Sequence, residues 1–104
     1  MSRHIRVGST DELTPGQRKL VFVDGRSVVL FNIEGTVHAI DNSCPHNGSS
    51  LASGLLEGRV LQCPAHGLRF DVVSGCMAGV AGGLCLTKLP VRADGGGLAV
   101  IVED

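Results

Sequence analysis

The chain has 104 residues, with 9 Lys and Arg against 10 Asp and Glu and a formal net charge of −1 with the histidines neutral. That length suits one domain with a modest core and no obligatory staples, and charges of both signs scattered along it exclude a nucleic-acid or membrane-surface binder built on a basic block. Aromatic residues make up 3% of the chain, all of them Phe, so Val, Leu, Ile and Ala fill the core and no aromatic ladder for base stacking exists.

The N-terminus, Met1-Ser2-Arg3-His4-Ile5-Arg6, has neither an apolar core nor a twin arginine, and no run reaches transmembrane length; the cytoplasm is the expected compartment. Ile5 to Gly8 alternates and predicts a first strand. Ser9 to Leu13 is a polar turn of at most one helical turn, broken by Thr14-Pro15-Gly16. Arg18 to Val23 and Ser27 to Ile33 are rich in β-branched residues and joined through Asp24-Gly25, a hairpin signal, and Glu34-Gly35 turns the chain into Thr36 to Ile40. These strands form a meander. Imperfect alternation in Val28-Val29-Leu30-Phe31 predicts a strand covered on both faces.

From Asn42 the chain runs as a loop through Gly58 to a strand at Arg59 to Gln62, then through a second loop to a strand at Arg69 to Val72 and a turn at Val73-Ser74-Gly75. Met77 to Gly83 lacks a period and reads as a loop. Leu86 to Arg92 and Leu98 to Val102 are the closing strands, separated by Asp94-Gly95-Gly96-Gly97. The plan is all-β and antiparallel, a sandwich or barrel in a single domain, 1–104. Its base comes from 1–41 and 84–104, and a small metal-binding subdomain, about 42–83, is inserted between them.

A tripeptide and a tetrapeptide carry the chemistry, Cys44-Pro45-His46 and Cys63-Pro64-Ala65-His66. In an extended segment residues two apart project to one side, so Cys44 and His46 can face one point. Pro64 suits the second position of a β-turn that brings Cys63 and His66 together. Gly48 and Gly67 follow closely and permit backbone geometry strained for other residues. Two thiolates and two imidazoles can hold a tetrahedral zinc ion or a two-iron, two-sulfide cluster, and ligand identity alone leaves both open.

The flanking residues add a further signal. C-x-H, sixteen residues, C-x-x-H and then Gly67-Leu68-Arg69-Phe70-Asp71, with Leu55-Leu56-Glu57-Gly58 between and Ser74-Gly75 after, resembles the Rieske family, specifically its soluble Rieske-type ferredoxins. The resemblance implies a [2Fe-2S] cluster, with Cys44 and Cys63 on one iron and His46 and His66 on the other. It implies the same base and inserted subdomain. It also implies an electron-transfer component that is not itself an enzyme, taking electrons from a flavin-containing NAD(P)H reductase and passing them to a terminal Rieske oxygenase in a bacterial system hydroxylating an aromatic compound. A small Rieske subunit of an assimilatory nitrite reductase and a zinc-stabilised interaction module are the alternatives. High-potential members of the family have an extra disulfide at positions matching Ser49 and Ala65 and hydroxyl donors at positions matching Leu68 and Phe70. Their absence here implies a low-potential centre, toward the bottom of the about −150 to +300 mV that Rieske centres span.

Remaining residues have plainer roles. Asn47, Ser49 and Ser50 are either donors to cluster sulfides or ordinary loop formers. His38 and His4 are expected in a strand and at the terminus, not as ligands. Arg69 and Asp71 either pair to brace the second loop or form a solvated pair. Cys76 and Cys85, in apolar, Gly-rich surroundings, are expected as buried free thiols in preference to a disulfide. The family's proline is missing at Val80 and Ala81, which predicts a looser Gly79 to Gly83 and a more exposed cluster, and Ala65 and Asn47 also depart from the family's usual residues. No paired carboxylates or nucleophile and base are visible.

Overall fold

Two tight reversals set the fold. In the computed structural model, which describes residues 2–45, 48–65, 67–79 and 83–103, Asp24 and Gly25 have φ of 52° and 78°, and Glu34 and Gly35 have 53° and 94°. Successive residues in the left-handed region make the two-residue turn whose twist matches paired strands. They fold Arg18–Val23 (β2), Arg26–Ile33 (β3) and Thr36–Asp41 (β4) into the predicted meander, with Val23 opposite Arg26 and Ile33 opposite Thr36.

Every residue of β3 from Val28 to Ile33 is buried. Because successive side chains of a strand point to opposite faces, Val29, Phe31 and Ile33 enter one apolar cluster and Val28 and Leu30 another. The first holds Cys44, Leu51, Leu61, Cys63, Phe70 and Val72. The second holds Leu13, Val23, Ala39, Leu98 and Val100. β3 is therefore a wall between two cores. Its polar residue, Asn32, is buried but satisfied: Nδ2 donates to the Leu13 carbonyl at 2.8 Å, and Oδ1 accepts from the Gly35 N–H at 2.8 Å.

The second core is closed by the two ends of the chain. Ser2–Ser9 (β1) pairs antiparallel with Gly97–Glu103 (β10), which also pairs with Val91–Asp94 (β9). A register shift between Arg6 and Gly8 bulges β1. The first core is closed by a separate sheet of three short strands, Leu55–Glu57 (β5), Val60–Gln62 (β6) and Arg69–Asp71 (β7).

Two expectations change. The strand expected over Leu86 to Arg92 is split at Pro90: Lys88–Leu89 (β8) pairs with β4, and β9 pairs with β10. Proline has no N–H to give a ladder, so the chain changes sheets there. The strand expected from Arg59 starts at Val60, and the loop before Gly58 contains β5. Gly58, at φ 62°, and Arg59 form the turn between β5 and β6.

Replacing Phe31 by Ala removes a ring with no exposed surface from the wall and should cost roughly 3–5 kcal/mol in denaturant unfolding. Phe22→Ala, at a side chain 72% exposed, should stay within about 0.5 kcal/mol. Equal losses would show that β3 is not the shared wall.

Candidate metal centre

Each predicted loop starts from a buried cysteine. Cys63 directly follows β6, and Cys44 comes shortly after β4. The Cys44 N–H donates to the Ser49 carbonyl at 2.8 Å, and its own carbonyl accepts from the Gly48 N–H at 2.7 Å. In the second loop, the Cys63 N–H donates to the Leu68 carbonyl at 2.8 Å, and its carbonyl accepts from the Gly67 N–H at 2.9 Å. The two loops thus have the same hydrogen-bonded frame. Each frame closes on a glycine in the left-handed region, Gly48 at φ 78° and Gly67 at φ 74°, where a side chain would be strained.

Cys44 and Cys63 are 1% and 0% exposed and belong to the same apolar cluster, while Pro45, Pro64 and Ala65 at the loop tips are exposed. Neither cysteine is in the disulfide. A thiolate in such surroundings is costly unless a cation or metal compensates it, so two cysteines from two matched loops in one apolar cluster suit metal ligation. His46 and His66, predicted as the other ligands, lie outside the described residues, as do Asn47, Val80 and Ala81. Among the described residues no group of three or more His, Cys, Asp or Glu side chains is gathered for a metal.

The first loop is held by residues whose role the sequence does not announce. Asn42 Oδ1 accepts from the Leu51 N–H at 2.7 Å, the Ala52 N–H at 3.0 Å and the Ser50 hydroxyl at 3.1 Å. Its Nδ2 donates to Ser27 Oγ at 3.1 Å, and its N–H donates to the Ser27 carbonyl at 2.8 Å. Asn42 thereby ties the segment after the loop to β3. Arg18 does the same from β2: Nη1 donates to the Ala52 and Gly54 carbonyls at 2.9 and 2.5 Å, and the guanidinium lies 5.3 Å from the centroid of the Phe31 ring. A Cβ on Gly54 would lie 2.5 Å from the Gln62 carbonyl oxygen. Glycine lets this segment pack against the last residue of β6, next to Cys63.

Two expectations near the second loop are corrected. Asp71 pairs with Arg59, not Arg69: Arg59 Nε donates to Oδ2 at 2.7 Å, and Oδ1 accepts from the Val73 and Ser74 N–H groups at 2.9 and 3.2 Å. Burial pushes the Asp71 carboxyl up, but these donors outweigh it and its pKa is lowered. Val60 lies opposite Asp71, which brings the neighbouring Arg59 within reach.

Cys76 and Cys85 form a disulfide and are not buried thiols: Cys76 is half-buried and Cys85 exposed. They oppose each other across two short antiparallel arms. The Met77 N–H donates to the Leu84 carbonyl at 3.1 Å and the Leu86 N–H to the Gly75 carbonyl at 2.5 Å. Those bonds flank the cysteines and leave them as a non-hydrogen-bonded pair, where facing side chains come closest.

His38 and His4 lie on β4 and β1, as expected of strand residues. His38 Nδ1 is 3.3 Å from Lys88 Nζ, which donates to the Val73 carbonyl at 2.6 Å. Burial, then the Lys88 charge, lowers the His38 pKa from its ordinary 6.5, with Asp71 opposing and Arg59 adding to the effect. Ser50 turns its hydroxyl to Asn42 and so serves the loop.

A family model described as the Rieske [2Fe-2S] domain matches residues 3–90. The chain is 40% identical over 65 residues, 62% of each chain, to the ferredoxin component of the naphthalene 1,2-dioxygenase/salicylate 5-hydroxylase systems of Ralstonia sp.. It is 35% identical over 101 residues to the ferredoxin component of the alkene monooxygenase system of Xanthobacter autotrophicus, covering 96% of this chain and 82% of that one. In structure it resembles the ferredoxin of carbazole 1,9a-dioxygenase from Nocardioides aromaticivorans, with a TM-score of 0.82 and 31% identity over 93% of this chain and 95% of that one. The match to the naphthalene-system component therefore spans about three fifths of that protein's length.

Asn42→Ala would leave the Leu51 and Ala52 N–H groups without their acceptor and should cost roughly 1–3 kcal/mol in denaturant unfolding. Asn42→Asp, which keeps the acceptor, should recover much of it. A second check concerns pH. Because the folded pKa of His38 lies below the unfolded value, the unfolded chain binds the proton more tightly, so stability falls as pH drops through 6.5 toward the lowered folded value. In His38→Gln that part of the slope should vanish; an unchanged slope would remove His38 as its source.

Proposed function

We propose that this chain, which belongs to the Rieske [2Fe-2S] domain family, is a one-electron carrier whose cluster is held by Cys44, His46, Cys63 and His66. The observation that carries the reading is the pair of matched loops, each pinned at its cysteine and closed on a glycine, which deliver Cys44 and Cys63 into one apolar cluster. A bound [2Fe-2S] cluster supplies reversible uptake of a single electron, with the two imidazoles raising its potential above that of an all-cysteine centre. The residues of the chain hold and insulate. Leu51, Leu61, Phe70 and Val72, all 0% exposed, exclude water from the sulfur side, while the exposed loop tips at Pro45, Pro64 and Ala65 offer the face where a redox partner approaches.

The same reading divides the chain into a base, 1–41 and 84–104, and a cluster-binding subdomain, about 42–83. It is supported by the separate β5–β6–β7 sheet. It also gives the centre a low potential. Phe70 is fully buried and Leu68 is packed against the same core, so neither position supplies a hydroxyl to sulfur, and Ser49 and Ala65 cannot form a disulfide between the loops. Electrons would come from a flavin-containing NAD(P)H reductase and pass to a terminal oxygenase, a role supported by relatives named as ferredoxin components of oxygenase systems. The cytoplasm, where NAD(P)H is supplied, is the fitting compartment. No helix among the described residues is long and apolar enough to cross a membrane.

Protein isolated without air should contain two iron and two acid-labile sulfide per chain and have a visible absorption that bleaches on one-electron reduction. Cys44→Ser and His66→Ala should each abolish that spectrum. A colourless protein containing zinc would overturn the reading, and a midpoint well above the lower end of the Rieske range, about −150 mV, would overturn its low-potential part. Tight co-purification with a large catalytic subunit would make it a fixed enzyme subunit in place of a shuttle.

A further inference from the structure

The Cys76–Cys85 disulfide takes no part in the proposed electron transfer, and its surroundings differ from those of the two buried cysteines. Cys85 is exposed between the exposed Leu84 and the buried Leu86, and is the more accessible residue of the pair. Cys76 is half-buried on the inner arm. That arm is an added edge of the cluster-side sheet: the Asp71 N–H donates to the Cys76 carbonyl at 2.8 Å and the Ala78 N–H to the Arg69 carbonyl at 2.9 Å, with Met77 opposite Phe70. β7 in turn directly follows Leu68, whose carbonyl holds the Cys63 N–H. A continuous path of backbone bonds thus joins the disulfide to the frame of the second loop.

We propose that Cys76–Cys85 is a thiol-exchangeable redox site that sets how firmly the second cysteine loop is held. An external dithiol, of the small-molecule or protein class, attacks Cys85 Sγ as thiolate; the S–S bond breaks and Cys76 leaves as thiolate. The second thiol of the reductant then resolves the mixed disulfide. In total two electrons and two protons pass to the chain, giving two cysteine thiols, and the reductant leaves as a disulfide. Once opened, the outer arm is held to the inner one across this pair by the Met77–Leu84 and Leu86–Gly75 backbone bonds, the outermost pairing on that sheet edge, which opens locally more readily than the strands inside it. Leu86, 6% exposed and packed in the first core with Met77 against it, then loses the cross-link on its N-terminal side and is held from its C-terminal side, where the Thr87 carbonyl accepts from the Asp41 N–H. The inner arm keeps its bonds to β7 but is left with a looser outer neighbour, so the hold on β7 and the Leu68 carbonyl slackens.

The test uses the holo protein under argon, before and after a water-soluble phosphine, with Cys76→Ser/Cys85→Ser alongside. Alkylation and peptide mass mapping should find Cys76 and Cys85 newly modified after reduction. Amide exchange at Met77 and Leu86 should quicken about tenfold, and the visible absorption should bleach several-fold faster with a chelator present. The double variant should show the faster values with or without phosphine. The amide-exchange arm does not require the metal reading, so its success in a colourless protein would leave this inference standing and sink the other. A disulfide that resists millimolar phosphine in the folded protein would overturn the proposal. So would identical exchange and bleaching rates in the two redox states of the wild-type protein, a comparison that holds even if the variant fails to fold.

Discussion

The structure depends on a strand buried on both faces. A strand of an antiparallel sheet commonly has one solvated face, yet here β covers both: the sheet of β1, β9 and β10 over Val28 and Leu30, and the small sheet of β5, β6 and β7 over Val29, Phe31 and Ile33. A one-residue slip of β3 would exchange the two sets and place Asn32 in the wrong core. The two turns in the left-handed region prevent that slip, because each fixes register at one end of β3. The two apolar cores therefore share one wall.

That wall also explains why Asn42 and Arg18 matter more than their surface neighbours. Both reach from the meander, Asn42 through Ser27 and Arg18 over Phe31, to the backbone between Ser50 and Gly54. This segment has little regular structure of its own to satisfy its N–H and C=O groups. The side chains of Asn42 and Arg18 do so instead. Cys44 is thus referenced to the base through Asn42, and Cys63 through β6 and the close approach of Gly54 to Gln62.

Much of this was legible in the sequence because it rests on local signals. Asp24-Gly25 and Glu34-Gly35 specify their turns by conformation alone, and the runs around them give the meander with its ends nearly right. The cysteines and glycines of the two loops were also readable, since each set lies within one contiguous segment. What escaped needed tertiary information. β5 is three residues long, too short to show alternation. The sequence offers Arg69 to Asp71 because the two share a strand face, whereas Arg59 arrives through pairing of β6 with β7. Pro90 is itself a readable break inside the strand expected over Leu86 to Arg92. The Cys76–Cys85 disulfide depends on the two arms facing each other in a non-hydrogen-bonded register, which no spacing rule reveals.

The four cysteines divide by access, and that division lets two sulfur chemistries coexist in one small chain. Thiol exchange needs a sulfur that an external thiolate can approach in line, and Cys44 and Cys63, at 1% and 0% exposure behind Leu51, Leu61 and Phe70, do not offer one. Cys85 does. A reductant strong enough to open the surface disulfide would thus meet Cys85 first and leave the buried pair untouched. In a reducing compartment an exposed disulfide persists only in exchange with the thiol pool. Its state then reports the surroundings, while burial keeps the Cys44 and Cys63 sulfurs out of that exchange.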